Sequence, residues 1–200
     1  MEDKKTIHLP RPGVDRLGMS VTRALAARCS VREFLPEALS LGQLSDILWA
    51  AYGINRPDGR RTVPAAWGIY GLDVYAVTAE GIYLYVPEDH SLTIVAEGDH
   101  REVCGMQPFV ATAPLNLLFF ANYSRMHLDD ARYEPMLQSM LPVVAALDAG
   151  AGAENVYLLC ADLGLGLVER VLIDEAAFKA VAGMEENQHF VVAQTIGKVK

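Results

Sequence analysis

Two hundred residues, 52% hydrophobic and 21% charged, describe one globular domain with enough apolar side chains to bury its own core. Twenty-five acidic against 17 basic residues leave a net charge of −8, which excludes the broad basic face that nucleic-acid backbones require. Apolar runs such as residues 113–121 are too short to cross a bilayer and carry Pro114 and Asn116, so they read as buried strands. The three cysteines, Cys29, Cys104 and Cys160, are odd in number, widely spaced and lack a C-x-x-C pair, which argues against a zinc site and a disulfide framework. Residues 1–10 hold no apolar core of signal-peptide length, and a cytoplasmic location is the expectation, a removed leader being the alternative.

Residues 1–19 are polar and contain Pro10, Pro12, Gly13 and Gly18, which predicts an extended arm, and residues 20–200 then form a single domain. Ser20 is a candidate N-cap for a helix carrying Val21, Ala24, Leu25 and, in its last turn, Arg28. Ser40 and Gln43 have capping-box spacing, and Leu41, Leu44, Leu48, Ala51 and Tyr52 recur on one helical face until Gly53. Residues 72–78 and 82–86 alternate as strands around a short turn and predict a hairpin. Residues 87–98 read as loop and short strand, and 115–121 as a buried strand. A helical tract begins near Asp130, and Pro135, Pro142 and the glycines Gly150 and Gly152 are expected to kink or divide it. Its second half, 153–163, is apolar nearly all round and must be buried, in a core or a subunit interface. Residues 167–173 and 190–196 predict two more strands around a short helix from Asp174. This mixed order predicts an α+β fold rather than a doubly wound parallel sheet.

Chemistry concentrates in Arg28-Cys29-Ser30-Val31-Arg32, where two permanently charged guanidinium groups flank a hydroxyl. A planar fork matches phosphate oxygens bidentately and a serine can donate to a third, so Arg28 and Ser30 suit a phosphate monoester. At the other end, Lys198 and Lys200 close a strand with two cations at alternate positions. Local cations in an acidic protein point to one specific anionic ligand, although arginines beside a short helix and terminal lysines also occur as solvated charge. The five histidines show no metal spacing, no G-x-S-x-G elbow is present, and a G-x-G-x-x-G fingerprint is missing.

Arg28-x-Ser30-x-Arg32, the C-terminal residues 194–200, the stretches 48–56 and 61–67, and 152–158 followed by Leu163-Gly164-Leu165-Gly166 together resemble the FMN-dependent nitroreductase family, from about residue 20 to 200. The resemblance implies the family's α+β fold, a mostly antiparallel central sheet flanked by helices in an intertwined homodimer. It implies that Arg28, Ser30, Lys198 and Lys200 hold the FMN phosphate, with Cys29 inside the same segment, and that Arg32 faces the N1 and C2-carbonyl edge of the flavin. Pro64, Ala65 and Ala66 would reach the flavin from the other subunit, Trp67 would stack over a ligand or fill the dimer interface, and Glu154, Gly164 and Gly166 would lie in its surroundings. Many relatives have serine where Ala65 stands and glutamine where Glu154 stands, so one hydroxyl is missing and one negative charge is added. The implied activity is ping-pong electron transfer from NAD(P)H through FMN to a nitroaromatic, quinone or similar acceptor, without nucleic-acid or membrane partners. The alternatives are oxidation of an azoline-like substrate and flavin binding without turnover.

Overall fold

Near-continuous apolar runs along the central strands decide the architecture, because both faces of the sheet must then be covered. The computed structural model describes residues 5–15 and 18–200. Strands β1 (Thr6–His8), β2 (Leu72–Val77), β3 (Gly81–Val86), β4 (Ser91–Glu97), β5 (Leu115–Asn122), β6 (Leu165–Arg170) and β7 (Gln188–Lys198) form one sheet in the order β1-β4-β3-β2-β5-β7-β6. Every neighbouring pair is antiparallel. The hairpin expected at 72–86 is β2 and β3, and the strand within 87–98 is β4, which takes up most of that segment.

In β5, Leu115, Leu117, Phe119 and Ala121 point to one core while Leu118 and Phe120 point to a second, with all six fully enclosed. The first core lies under helices α2 (Leu41–Tyr52) and α3 (Glu134–Leu163), the second under α4 (Glu175–Ala182) and two 3-10 turns at Arg101–Cys104 and Pro108–Ala111. The α2 start is the capping box the sequence predicts: Gln43 N–H donates to Ser40 Oγ at 3.2 Å and Ser40 N–H to Gln43 Oε1 at 3.0 Å. A short helix α1 (Val21–Ala27) is capped by Ser20.

The long tract is not divided: α3 runs unbroken for 30 residues. Pro135 falls in its first turn, where an amide hydrogen has no intrahelical acceptor to lose, and Pro142 sits in the helix interior on an exposed side. Gly152 has a packing role, since a Cβ there would stand 2.5 Å from the Ala51 carbonyl oxygen of α2. By length and apolarity α3 could cross a bilayer, but half of its most apolar window is buried in the fold, and it is the helix on which the first core is built.

Candidate functional site

Helix α1 ends by delivering Arg28 as its C-cap, and the chain then runs as an extended segment along β6. Val31 N–H donates to Leu167 O at 2.8 Å, Leu35 N–H to Lys198 O at 2.9 Å and Lys200 N–H to Glu33 O at 3.4 Å, so the segment is laced between the edge of β6 and the end of β7. Ser30 bridges Leu167 in parallel and Phe34 bridges Val199 in antiparallel sense. Gly166 permits this approach, because a Cβ there would come within 3.0 to 3.1 Å of Val199 and Val31. Gly164 ends α3 in the left-handed conformation, φ 67°, which a side chain disfavours.

Tyr157 of α3 is where two of the four predicted phosphate residues, Arg28 and Ser30, meet. The Arg28 guanidinium lies 5.2 Å from the centre of its ring, Ser30 Oγ is 3.0 Å from its hydroxyl, and Glu169 N–H donates to the same hydroxyl at 3.0 Å. Glu154, one turn earlier on α3, is exposed, and with desolvation its charge pushes the Glu169 carboxyl above its usual range. Cys29 is exposed beside them. The Lys198 ammonium is paired with Glu37, and Lys200 is held through its backbone to Glu33.

Arg32 lines a cleft of about 310 Å³ with Gln107, Phe109 and residues 168–172. Gln107 Oε1 is buried and has no hydrogen-bond partner among the described residues. Within the cleft wall Arg170 is only 5% exposed, and burial pulls its guanidinium down to about 10, still cationic at neutral pH. None of Tyr157, Gln107, Phe109 and Arg170 is singled out by the sequence reading. The legible signal was Arg170, a charge set in the otherwise apolar strand pattern of 167–173.

The segment with Pro64, Ala65, Ala66 and Trp67 does not join these groups within one chain. Asn155 Nδ2 holds it at Thr62 O, 3.2 Å, and Asp148 accepts from Ala66 N–H, so it runs along α3 away from Tyr157; nine helical residues span about 13 Å. Desolvation raises Asp148 to about 6. Trp67 adopts φ 53°, ψ 14°, a left-handed conformation strained for a bulky residue, and its side chain is 48% exposed.

Against known proteins, the nitroreductase family model matches residues 25–198. The chain belongs to the nitroreductase family. A Methanocaldococcus jannaschii protein assigned as a nitroreductase is 34% identical over 177 residues, 82% of this chain and 83% of its own. A Ralstonia eutropha structure, also assigned as a nitroreductase, superposes with a TM-score of 0.87 at 37% identity, over 98% of this chain and 90% of that one. A Desulfovibrio desulfuricans nitroreductase-type structure in complex with FMN shares the fold at TM-score 0.63 and 18% identity, over 91% and 87% of the two chains. The nitroreductase fold expected from the sequence is therefore the observed one, and membership makes the chain an oxidoreductase of the general flavin type.

Proposed function

We propose that this nitroreductase is an FMN-dependent oxidoreductase working as a homodimer, taking electrons from NAD(P)H and passing them to a nitroaromatic, quinone or similar small acceptor in two half-reactions. The observation that carries this is the Arg32 cleft, with the Arg28, Ser30 and Tyr157 cluster on the same strand edge. When bound there, FMN supplies the two-electron carrier.

The chain's own residues have distinct duties in this proposal. Arg28 and Ser30 hold the phosphate, Tyr157 orients both, and Lys200, just past the end of β7, adds positive charge, with Lys198 joining it on release from its Glu37 pair. Arg32 opposes the charge that reduction places on the N1 edge. Gly164 and Gly166 act by letting α3, β6 and the Arg28 segment close up, and Glu154 sets the local charge. The second copy is argued from α3, whose residues Met136, Met140, Val143 and Leu147 form an exposed apolar stripe at helical spacing. Asp148, next to Leu147, anchors Ala66, so Pro64, Ala65 and Trp67 emerge beside that stripe, where they can reach a neighbouring subunit's cleft.

The test is FMN titration of wild-type protein and of Arg28→Ala and Arg32→Ala. Loss of one charged contact to phosphate weakens binding by about 10- to 100-fold, from roughly 1.5–3 kcal/mol per bond. Equal FMN affinity in all three proteins would contradict the proposed clamp. A flavin bleached by a cyclised azoline-type donor but by neither nicotinamide would select the dehydrogenase alternative, and a bound flavin deaf to every donor the binding role.

A further inference from the structure

Arg170 is a buried cation whose hydrogen-bond partners among the described residues are all neutral. Its Nε donates to Thr195 Oγ1 at 2.9 Å, Nη1 to Cys104 O at 2.6 Å and Leu172 O at 3.5 Å, and Nη2 to Asn116 Oδ1 at 3.1 Å. Cys104 Sγ, a titratable group close to it, is pushed up to about 12 by burial and is uncharged at neutral pH. Glu169 is its sequence neighbour, but successive strand residues face opposite sides: Glu169 pairs in register with Gln194, whose amide reaches α3, while Arg170 pairs with Ala193 of the second core. The site is shaped for the guanidinium, since a Cβ at Gly105 would stand 2.2 Å from Nη1.

A charge enclosed without a counter-charge is costly, and its place in the fold gives it a use. Arg170 belongs to the wall of the cleft that Arg32 also lines, and through Cys104 O it ties β6 to the loop that carries Gln107 and Phe109. We propose that Arg170 is a positioning residue for the redox site, its uncompensated charge stabilising the negative charge that a flavin ring in this cleft gains on reduction. This rests on the FMN reading above. A hydride from a nicotinamide, two electrons and one proton with the oxidised nicotinamide leaving, would give a flavin held here one added negative charge, and Arg170 would keep its proton throughout. In the low dielectric of the cleft wall its field is weakly screened.

The experiment is the reduced-to-oxidised equilibrium of bound FMN against a reference dye, in wild type, Arg170→Met, Arg170→Lys and Asn116→Asp. Asn116→Asp sets a carboxylate against the guanidinium with almost no change of shape, and so tests the charge even where Arg170→Met fails to fold. Arg170→Met and Asn116→Asp are expected to lower the reduced-to-oxidised ratio at least tenfold, about 30 mV for two electrons. Arg170→Lys, which keeps the charge, is expected to stay within about twofold of wild type. An unchanged ratio in FMN-loaded Asn116→Asp, or lowered thermal midpoints in all three variants with unchanged ratios, overturns the role of Arg170 alone. Failure of wild type to take up FMN overturns the flavin reading itself, and this inference with it.

Discussion

Trp67 is held where few bulky residues go, at φ 53°, with its ring half exposed next to a backbone that Asp148 fastens to α3. Strain of this kind amounts to about 1–3 kcal/mol and persists where the surroundings impose it. Trp67→Gly is therefore expected to raise the thermal midpoint of the apoprotein while weakening FMN binding; a variant with unaltered FMN affinity would assign Trp67 to the surface alone. Asp148 gives a second prediction at this scale. Its folded value, about 6, lies above the ordinary 3.8, so the folded state binds the extra proton between about pH 4 and 6. Stability falls as pH rises through that window and the penalty is complete above it. Asp148→Asn, which keeps an acceptor for Ala66 N–H, should raise the midpoint at pH 7 and flatten the dependence across pH 4 to 6. Calorimetry over that range checks both parts.

Among the elements, α2 and α3 meet at Gly152 so closely that a methyl group has no room, 2.5 Å from Ala51 O. Gly152→Ala is expected to destabilise by about 1–3 kcal/mol, the usual range for overpacking, read by chemical denaturation; a neutral effect would mean the helices separate freely. Elements set by local chemistry were legible in the sequence: the Ser20 and Ser40 caps, the β2–β3 hairpin and the Asp174 start of α4 all lie where side-chain spacing puts them. The continuity of α3 was not, because Pro142 and the glycines are locally unfavourable and are tolerated for tertiary reasons: Gly152 for α2, and Pro142 because its ring lies on an exposed side. At the candidate site, Arg28 and Ser30 stood out in the sequence as neighbouring polar groups, yet their meeting point Tyr157 and the cleft groups Gln107 and Arg170 did not. Those come from α3, a loop and β6, and only the sheet order brings them to one edge.

For the molecule as a whole, the α3 stripe leaves Val143 and Leu147 in water in a single chain, Leu147 at 69% exposure. A second copy lying on this face would cover the stripe and place Trp67 and its neighbours against the other subunit. Leu147→Asp is expected to convert a dimer to monomers in analytical ultracentrifugation and to release FMN in proportion; an unchanged sedimentation profile would remove the stripe from the interface. The overall acidic charge with its few cations at one strand edge, the antiparallel sheet and the family match all bear on flavin redox chemistry. Its most direct test is the visible absorption spectrum of purified protein supplied with FMN, separated from free cofactor and then exposed anaerobically to NADH and NADPH. The expected result is a protein-bound flavin spectrum that one or both nicotinamides bleach and that an added quinone or nitroaromatic restores. A protein that emerges colourless after FMN addition would contradict FMN-dependent oxidoreduction at this site.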